Sequence, residues 1–430
     1  LKARLTVADI REKLGKNESY LYYLMSEGLS KGLVFLLLPF FISYLSKEEF
    51  GKLSLYWVTV PLFSVLIDLT MRSFVKYEHI HHPLRVRKLL YSLLLFMPAM
   101  GVGYVILVRS LYEVFGLTFI EPVVDGLLVL AGLFFAVTEV FLALNQIRGD
   151  YKRYSIAYLM RNGLAYILAV VVILWLGKDY RYFVYIQVGV LFLVSLYLVL
   201  REKIRSVSLV YARKKIKEGL RFSGPLIPAA ISALLLSFSD RYVIRYFYSD
   251  AEVAEYSLAY IVSSIFMAIY MATNKSWQKF ILENLKKEKF AYIRKVGHKY
   301  IGVILLIGIS LFFLIEPLLL LFGTEEYVGG KELVFPIYTG MFFYFLFTYL
   351  SNVPFFYRDI RIQAIPAVIA AIFNLVLNII MVPKYGYEVA AWTTLASYFL
   401  EFLVIYLICL FKYHLDLIFG LDKWLVKKNL

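Results

Sequence analysis

Long apolar runs separated by short polar stretches divide the chain between residues 19 and 411. The runs cover 19–46, 53–76, 89–108, 122–147, 155–176, 182–200, 222–248, 253–280, 299–322, 332–356, 362–382 and 388–411. Each approaches the roughly 20 residues a helix needs to cross a bilayer. Lipid offers no partner to backbone N–H and C=O groups, so helix is the default at this hydrophobicity. The pattern predicts an all-α integral membrane protein with about twelve transmembrane helices. Pro122, Pro383 and the Gly329-Gly330 pair mark the sharpest boundaries.

Composition agrees. The 430 residues are 61% hydrophobic and 18% aromatic, well above the roughly 45–50% apolar content of soluble domains, and the mean hydropathy is +0.71. One core cannot hide that much apolar surface, so lipid must solvate much of it. Cys409 is the single cysteine, which excludes a disulfide within the chain and reads as packing.

The net charge of +15 resembles a nucleic-acid footprint until its distribution is followed. With the N-terminus placed in the cytoplasm, 32 of the 46 Lys and Arg fall in inner segments, 8 in outer segments and 6 within spans. This bias predicts both termini in the cytoplasm and an even number of spans in the cytoplasmic (inner) membrane. The polar, basic residues 1–18 carry no cleavable signal pattern, so the first run is expected to act as an uncleaved anchor.

Sliding the second half over the first gives a weak match at an offset of 204 residues, with Phe50 to Tyr56 falling on Ala254 to Tyr260. In both places a short acidic outer loop is expected, Lys47-Glu48-Glu49 and Ser249-Asp250-Ala251-Glu252. Six spans per half enter the membrane the same way round, as in transporters built from parallel repeats. The expected organisation is a cytoplasmic segment 1–18, a six-helix bundle 19–200, a basic linker 201–221, a second six-helix bundle 222–411 and a cytoplasmic tail 412–430.

Ionisable groups inside spans cost about 2.5–3.5 kcal/mol each on insertion scales and usually face a cavity or a partner. Glu27 and Lys31 share a face of the first helix, and Asp68 and Arg72 repeat the spacing in the second. Glu139 lies in the fourth, Arg161 in the fifth, Asp240-Arg241 in the seventh and Lys275 late in the eighth. Arg72, Arg161 and Lys275 sit near the inner face, where snorkelling to headgroups is the bland alternative. Self-neutralising ion pairs are the bland alternative for Glu27/Lys31 and Asp68/Arg72. Lys31 and Arg241 are too deep to snorkel easily. The excess of cations predicts an anion-binding cavity of Lys31, Arg72, Arg161, Arg241 and Lys275. Glu27, Asp68, Glu139 and Asp240 are the candidates for pairing or for a coupling ion, a proton or sodium. Pro39, Pro61, Pro225 and Pro228 in the first, second and seventh helices allow bends, functional or static.

No outer loop exceeds about fifteen residues, which leaves no room for an extracellular catalytic domain. No nucleotide-type phosphate loop occurs. His79-Ile80-His81-His82 reads as a solvated basic loop rather than a metal tract, and no cofactor is expected.

Asn374-Leu375-Val376-Leu377-Asn378, Val382-Pro383-Lys384-Tyr385-Gly386 and Ala390-Ala391-Trp392-Thr393-Thr394 resemble a signature of polysaccharide flippases. These are the oligosaccharide-lipid (O-antigen type) members of the multidrug/oligosaccharidyl-lipid/polysaccharide exporter superfamily. Ser26 to Lys31 running through Pro39 to Glu49-Phe50-Gly51, Asp240-Arg241 with Ile244 and Phe247, and Phe322-Gly323 to Tyr327 resemble them too. Members commonly carry Gly before the Ala-Ala pair, where this chain has Glu388-Val389. The departure bears on an outer turn. Asn374, Asn378, Pro383 and Gly386 would serve helix packing.

The resemblance implies a V-shaped pair of bundles working by alternating access. It implies a polyprenyl-pyrophosphate-linked oligosaccharide as cargo, flipped from the cytoplasmic to the outer leaflet during surface polysaccharide biosynthesis. A polysaccharide polymerase and glycosyltransferases would be its partners, and the chain itself would not be an enzyme. An ion-coupled multidrug antiporter of the same fold is the alternative, and it would want unpaired acids in an aromatic cavity. A peptidoglycan-precursor flippase would add two helices. A membrane glycosyltransferase or polymerase would need a large outer loop.

Overall fold

The computed structural model describes residues 7–322 and 330–420, and every regular element among them is helical. Contacts divide the chain into two compact units, Leu1–Glu49 with Leu55–Ile227, and Phe50–Ser54 with Pro228–Leu430.

The first unit contains α1 (Val7–Tyr44), α2 (Lys47–Asp68), α3 (Met71–His81), α4 (Val86–Phe115), α5 (Pro122–Arg148), α6 (Tyr151–Leu159), α7 (Ala165–Leu176), α8 (Arg181–Arg201) and α9 (Leu209–Ser223). The second unit contains α10 (Ile227–Phe247), α11 (Asp250–Leu285), α12 (Phe290–Phe322), α13 (Lys331–Leu350), α14 (Asn352–Phe356), α15 (Ile360–Tyr385) and α16 (Val389–Lys412). Among the described residues, 11 helices are long and apolar enough to cross a membrane, and a shorter apolar stretch, Gly28–Tyr44, lies within α1. The chain is a multi-pass membrane protein.

Several local expectations change. The run 53–76 is not one helix: Leu69 and Thr70 adopt left-handed φ values of 45° and 58° and separate α2 from α3. A β-branched residue such as Thr70 rarely sits there, so neighbouring bonds must hold the break. Thr70 N donates to Asp68 Oδ1 at 2.8 Å, and Thr70 Oγ1 donates to the Ser223 carbonyl at 3.2 Å.

The two expected acidic loops are first turns of helices. Ser46 caps α2, accepting from Glu49 N at 3.2 Å, and Ser249 and Glu252 form a reciprocal capping box on α11. Acids in a first turn are favoured by the unpaired N–H groups and the positive end of the helix dipole.

The basic linker 201–221 is largely helical. Ala212, Lys215, Gly219 and Ser223 form the buried stripe of α9, at the spacing of one helix face. Gly219 permits the approach to α3: a Cβ there would lie 2.6 Å from Met71 Sδ and 2.8 Å from Phe74 Cδ1. Lys215 Nζ bonds Glu78 at 3.0 Å and Glu218 at 2.8 Å, so one of the cations assigned to the inner surface is a buried ion-pair partner. Pro225 and Pro228 stand at the start of α10 rather than inside it, where a missing N–H costs nothing. Pro383 does not stop its helix, since α15 continues to Tyr385.

Candidate functional site: buried charge clusters in each unit

In the first unit, charged side chains from α2, α3, α5 and the α6–α7 junction meet. Glu139 on α5 accepts from two guanidinium groups, Arg72 Nη1 at 3.1 Å and Arg161 Nη1 at 2.5 Å. Arg72 Nε also pairs with Asp68 Oδ2 at 3.2 Å. Asp68, Arg72, Glu139 and Arg161 therefore form one chain of alternating charge. Arg161 sits in a π-helical turn, Met160–Leu164, between α6 and α7. Such turns widen a helix locally and recur at functional sites. Here the guanidinium lies buried, 4.2 Å over the Phe135 ring and 5.2 Å over that of Tyr158.

Arg161 thus does not snorkel; it is held by a carboxylate and two aromatic faces. Arg72 and Glu139 keep partial access, with side-chain exposures of 26% and 24%. Lys31 on α1 is exposed. The side chains of Glu27 and Lys275 lie outside the described residues, as does the stretch from Gly323 to Tyr327.

The second unit holds a different cluster, built from α10, α11, α15 and α16. Asp240 is fully buried and takes three donors: Asn378 Nδ2 at 2.5 Å, Tyr256 OH at 2.6 Å and Thr394 Oγ1 at 2.8 Å. Asn374 Oδ1 receives Ser239 Oγ at 2.9 Å and Asn378 Nδ2 at 3.2 Å, and Thr393 Oγ1 donates to Asn378 Oδ1. The two asparagines, one helical turn apart, therefore lock α15 to α10 and α16. Pro383 and Gly386 lie at the end of α15, outside this network; Gly386 has φ +96° and takes the turn into α16.

Arg241 turns the other way. Its Nε donates to Ser257 Oγ at 2.9 Å, its Nη1 donates to the Ser237 carbonyl at 2.8 Å, and its guanidinium lies 4.7 Å over Tyr260. Among the described residues it forms no salt bridge, and it is only 3% exposed. The neighbours Asp240 and Arg241 are thus not a contact pair.

Sequence reasoning missed Tyr256, Tyr260, Ser239 and Ser257, which look like ordinary span residues in a linear reading. It also passed over Glu401, the one acid within Val389–Lys412, buried to 1% exposure and close to Tyr270, Tyr344 and Tyr398. Charge within an apolar run was the signal that would have found it.

The fold resembles solved transporters. An inward-facing multidrug resistance MATE family transporter of the MOP superfamily superposes with a TM-score of 0.71 at 14% identity, over 88% of this chain and 93% of that one. Lipid II flippase MurJ, in an inward closed conformation, gives 0.67 at 16% identity, over 92% of this chain and 87% of that one. An outward-facing MATE family transporter gives 0.61 at 16% identity, over 90% and 93%. At these identities the likeness establishes the fold alone. No curated protein matches the sequence significantly. Residues 17–277, more than half of the chain, match a family described as polysaccharide biosynthesis protein. The chain belongs to the polysaccharide biosynthesis protein family.

Proposed function

We propose that the protein is a flippase moving a polyprenyl-pyrophosphate-linked oligosaccharide from the cytoplasmic to the outer leaflet. In this reading the bundles 19–200 and 222–411, with 201–221 between them, alternate access to a central path. Both termini face the cytoplasm of the inner membrane, as the 32-to-8 distribution of basic residues favours.

The observation that carries the reading is the Arg72–Glu139–Arg161 arrangement: two guanidinium groups share one carboxylate, and Arg72 keeps access. An incoming pyrophosphate can compete with Glu139 for Arg72, since guanidinium forks suit phosphate oxygens. Lys31, exposed on α1, supplies a further cation. Lys275 belongs to the same proposed set by its place on α11. Arg241, enclosed by protein partners, contributes field rather than contact. Family membership and the likeness to lipid II flippase MurJ support a lipid-linked cargo.

The likeness to multidrug MATE transporters favours one second reading, export of an organic cation. Purified protein in vesicles carrying a fluorescent polyprenyl-pyrophosphate oligosaccharide separates the two. Leaflet exchange is expected, and Lys31→Ala with Arg72→Ala should abolish it while leaving folded protein. Cation efflux without any leaflet exchange would overturn the flippase reading.

A further inference from the structure

Among the described residues, the acids first singled out inside the spans are partnered. Asp68 has Arg72, Glu139 has two arginines, and Asp240 has three neutral donors. Glu401 differs. It lies midway along α16, is 1% exposed, and its Oε2 is buried with no hydrogen-bond partner.

Its surroundings are aromatic. Tyr398 lies three residues earlier on the same helix face, Tyr344 comes from α13, and Tyr270 from α11. The Tyr344 and Tyr398 rings are 5.2 Å apart, and the Tyr270 hydroxyl is also buried without a partner. Leu236, Ala370 and Ala371 pack around Tyr398 and close that side with apolar groups from α10 and α15. Tyr270, Tyr344 and Tyr398 are near enough to feel a charge on Glu401. Among the described residues, no cation and no second acid acts on it.

An ionised carboxylate stripped of water and given no donor or cation is among the most costly groups a protein can bury. A protonated carboxyl in the same place is neutral and far less costly to bury. Beyond it, Tyr398 OH meets Tyr260 OH at 3.0 Å, and Tyr260 lies under the Arg241 guanidinium. We infer that Glu401 is a proton-binding site in the second unit, occupied when the carboxyl is buried as it is here. It is emptied only in a conformation that admits water or moves a cation toward it. The proton is taken from water as the carboxylate becomes a carboxyl, and it returns to water when the pocket opens. Protonation then weights one conformation over another, because the two states bind the proton with different affinity.

The inference deepens the transporter reading and rests on it only for the use of the proton. The site is therefore tested without any cargo. Infrared difference spectra of the purified full-length chain across a pH titration should show the C=O stretch of a buried protonated carboxyl, lost in Glu401→Gln. Glutamine keeps the size and neutrality of the bound state, so folding should persist. Should that variant fail to fold, Glu401→Asp must shift the band. A band unchanged in the variants, or absent from the wild type, overturns the site. An equal response to sodium at constant pH would overturn its assignment to protons. In vesicles, Glu401→Gln should lose the dependence of transport on an imposed pH gradient, whatever the cargo.

Discussion

Thr70 and Ser223 exchange hydrogen bonds in both directions: Thr70 Oγ1 donates to the Ser223 carbonyl at 3.2 Å, and Ser223 Oγ donates to the Thr70 carbonyl at 3.3 Å. The pair joins the left-handed break between α2 and α3 to the end of α9. Thr70→Val keeps the shape and removes one bond; Ser223→Ala removes the other. Each should destabilise by about 1 kcal/mol, with more where a buried carbonyl is left unpaired. The double variant should cost less than the sum if the two bonds act as one clasp. Unfolding in detergent measures all three, and full additivity would show that the bonds act independently.

Glu139 is the hub of the first cluster, so its loss should exceed that of either arginine. Glu139→Gln leaves Arg161 buried without its counter-charge, a situation that typically costs about 3–5 kcal/mol. Combining it with Arg161→Gln removes the stranded charge and should recover part of the loss. A double variant as unstable as the two singles summed would show that the pair is not coupled.

Asn378 holds Asp240 from α15. Asn378→Ala withdraws one of three donors from a buried carboxylate, and bonds to charged groups are worth about 1.5–3 kcal/mol. Loss of folded protein should be larger than for Pro383→Ala, at an exposed position outside the network. Comparable yields of both after detergent extraction and size-exclusion chromatography would place Asn378 outside the core of the unit.

Asp359, in the turn before α15, bonds Lys412 Nζ at 2.5 Å and Tyr413 OH at 3.2 Å. The Lys412 hydrogen bond is the main cause holding its carboxyl below the ordinary carboxylate range, against a smaller opposing effect of burial. A lowered folded value stabilises above the unfolded carboxylate value, near 3.9, and the benefit disappears as pH falls through the folded value. Asp359→Asn should therefore lower thermal stability at neutral pH and match the wild type in strong acid. A difference that persists undiminished in acid would assign the effect to packing.

Membrane residence and helix number were legible in the sequence because runs of about 20 apolar residues leave the backbone one way to satisfy itself in lipid. The intramembrane charges were legible for a related reason: each is costly enough to be rare, so Asp68, Arg72, Glu139, Arg161, Asp240 and Arg241 stand out of the pattern. Apart from the Asp68–Arg72 pair, one turn apart on the chain, their partners were not. Glu139 takes Arg161 from 22 residues away, and Asp240 takes Asn378 from 138 residues away. Such pairings depend on which helix faces meet, and no linear period encodes them. Nor does adjacency encode them: Asp240 and Arg241 are neighbours in sequence and bond different partners. The break at Leu69-Thr70 and the docking of α9 were likewise decided by tertiary bonds, because local propensity alone favours an unbroken helix and a loose basic linker. Glu401 shows both sides. Its charge was visible in the sequence, but only the packed helices leave it without a partner.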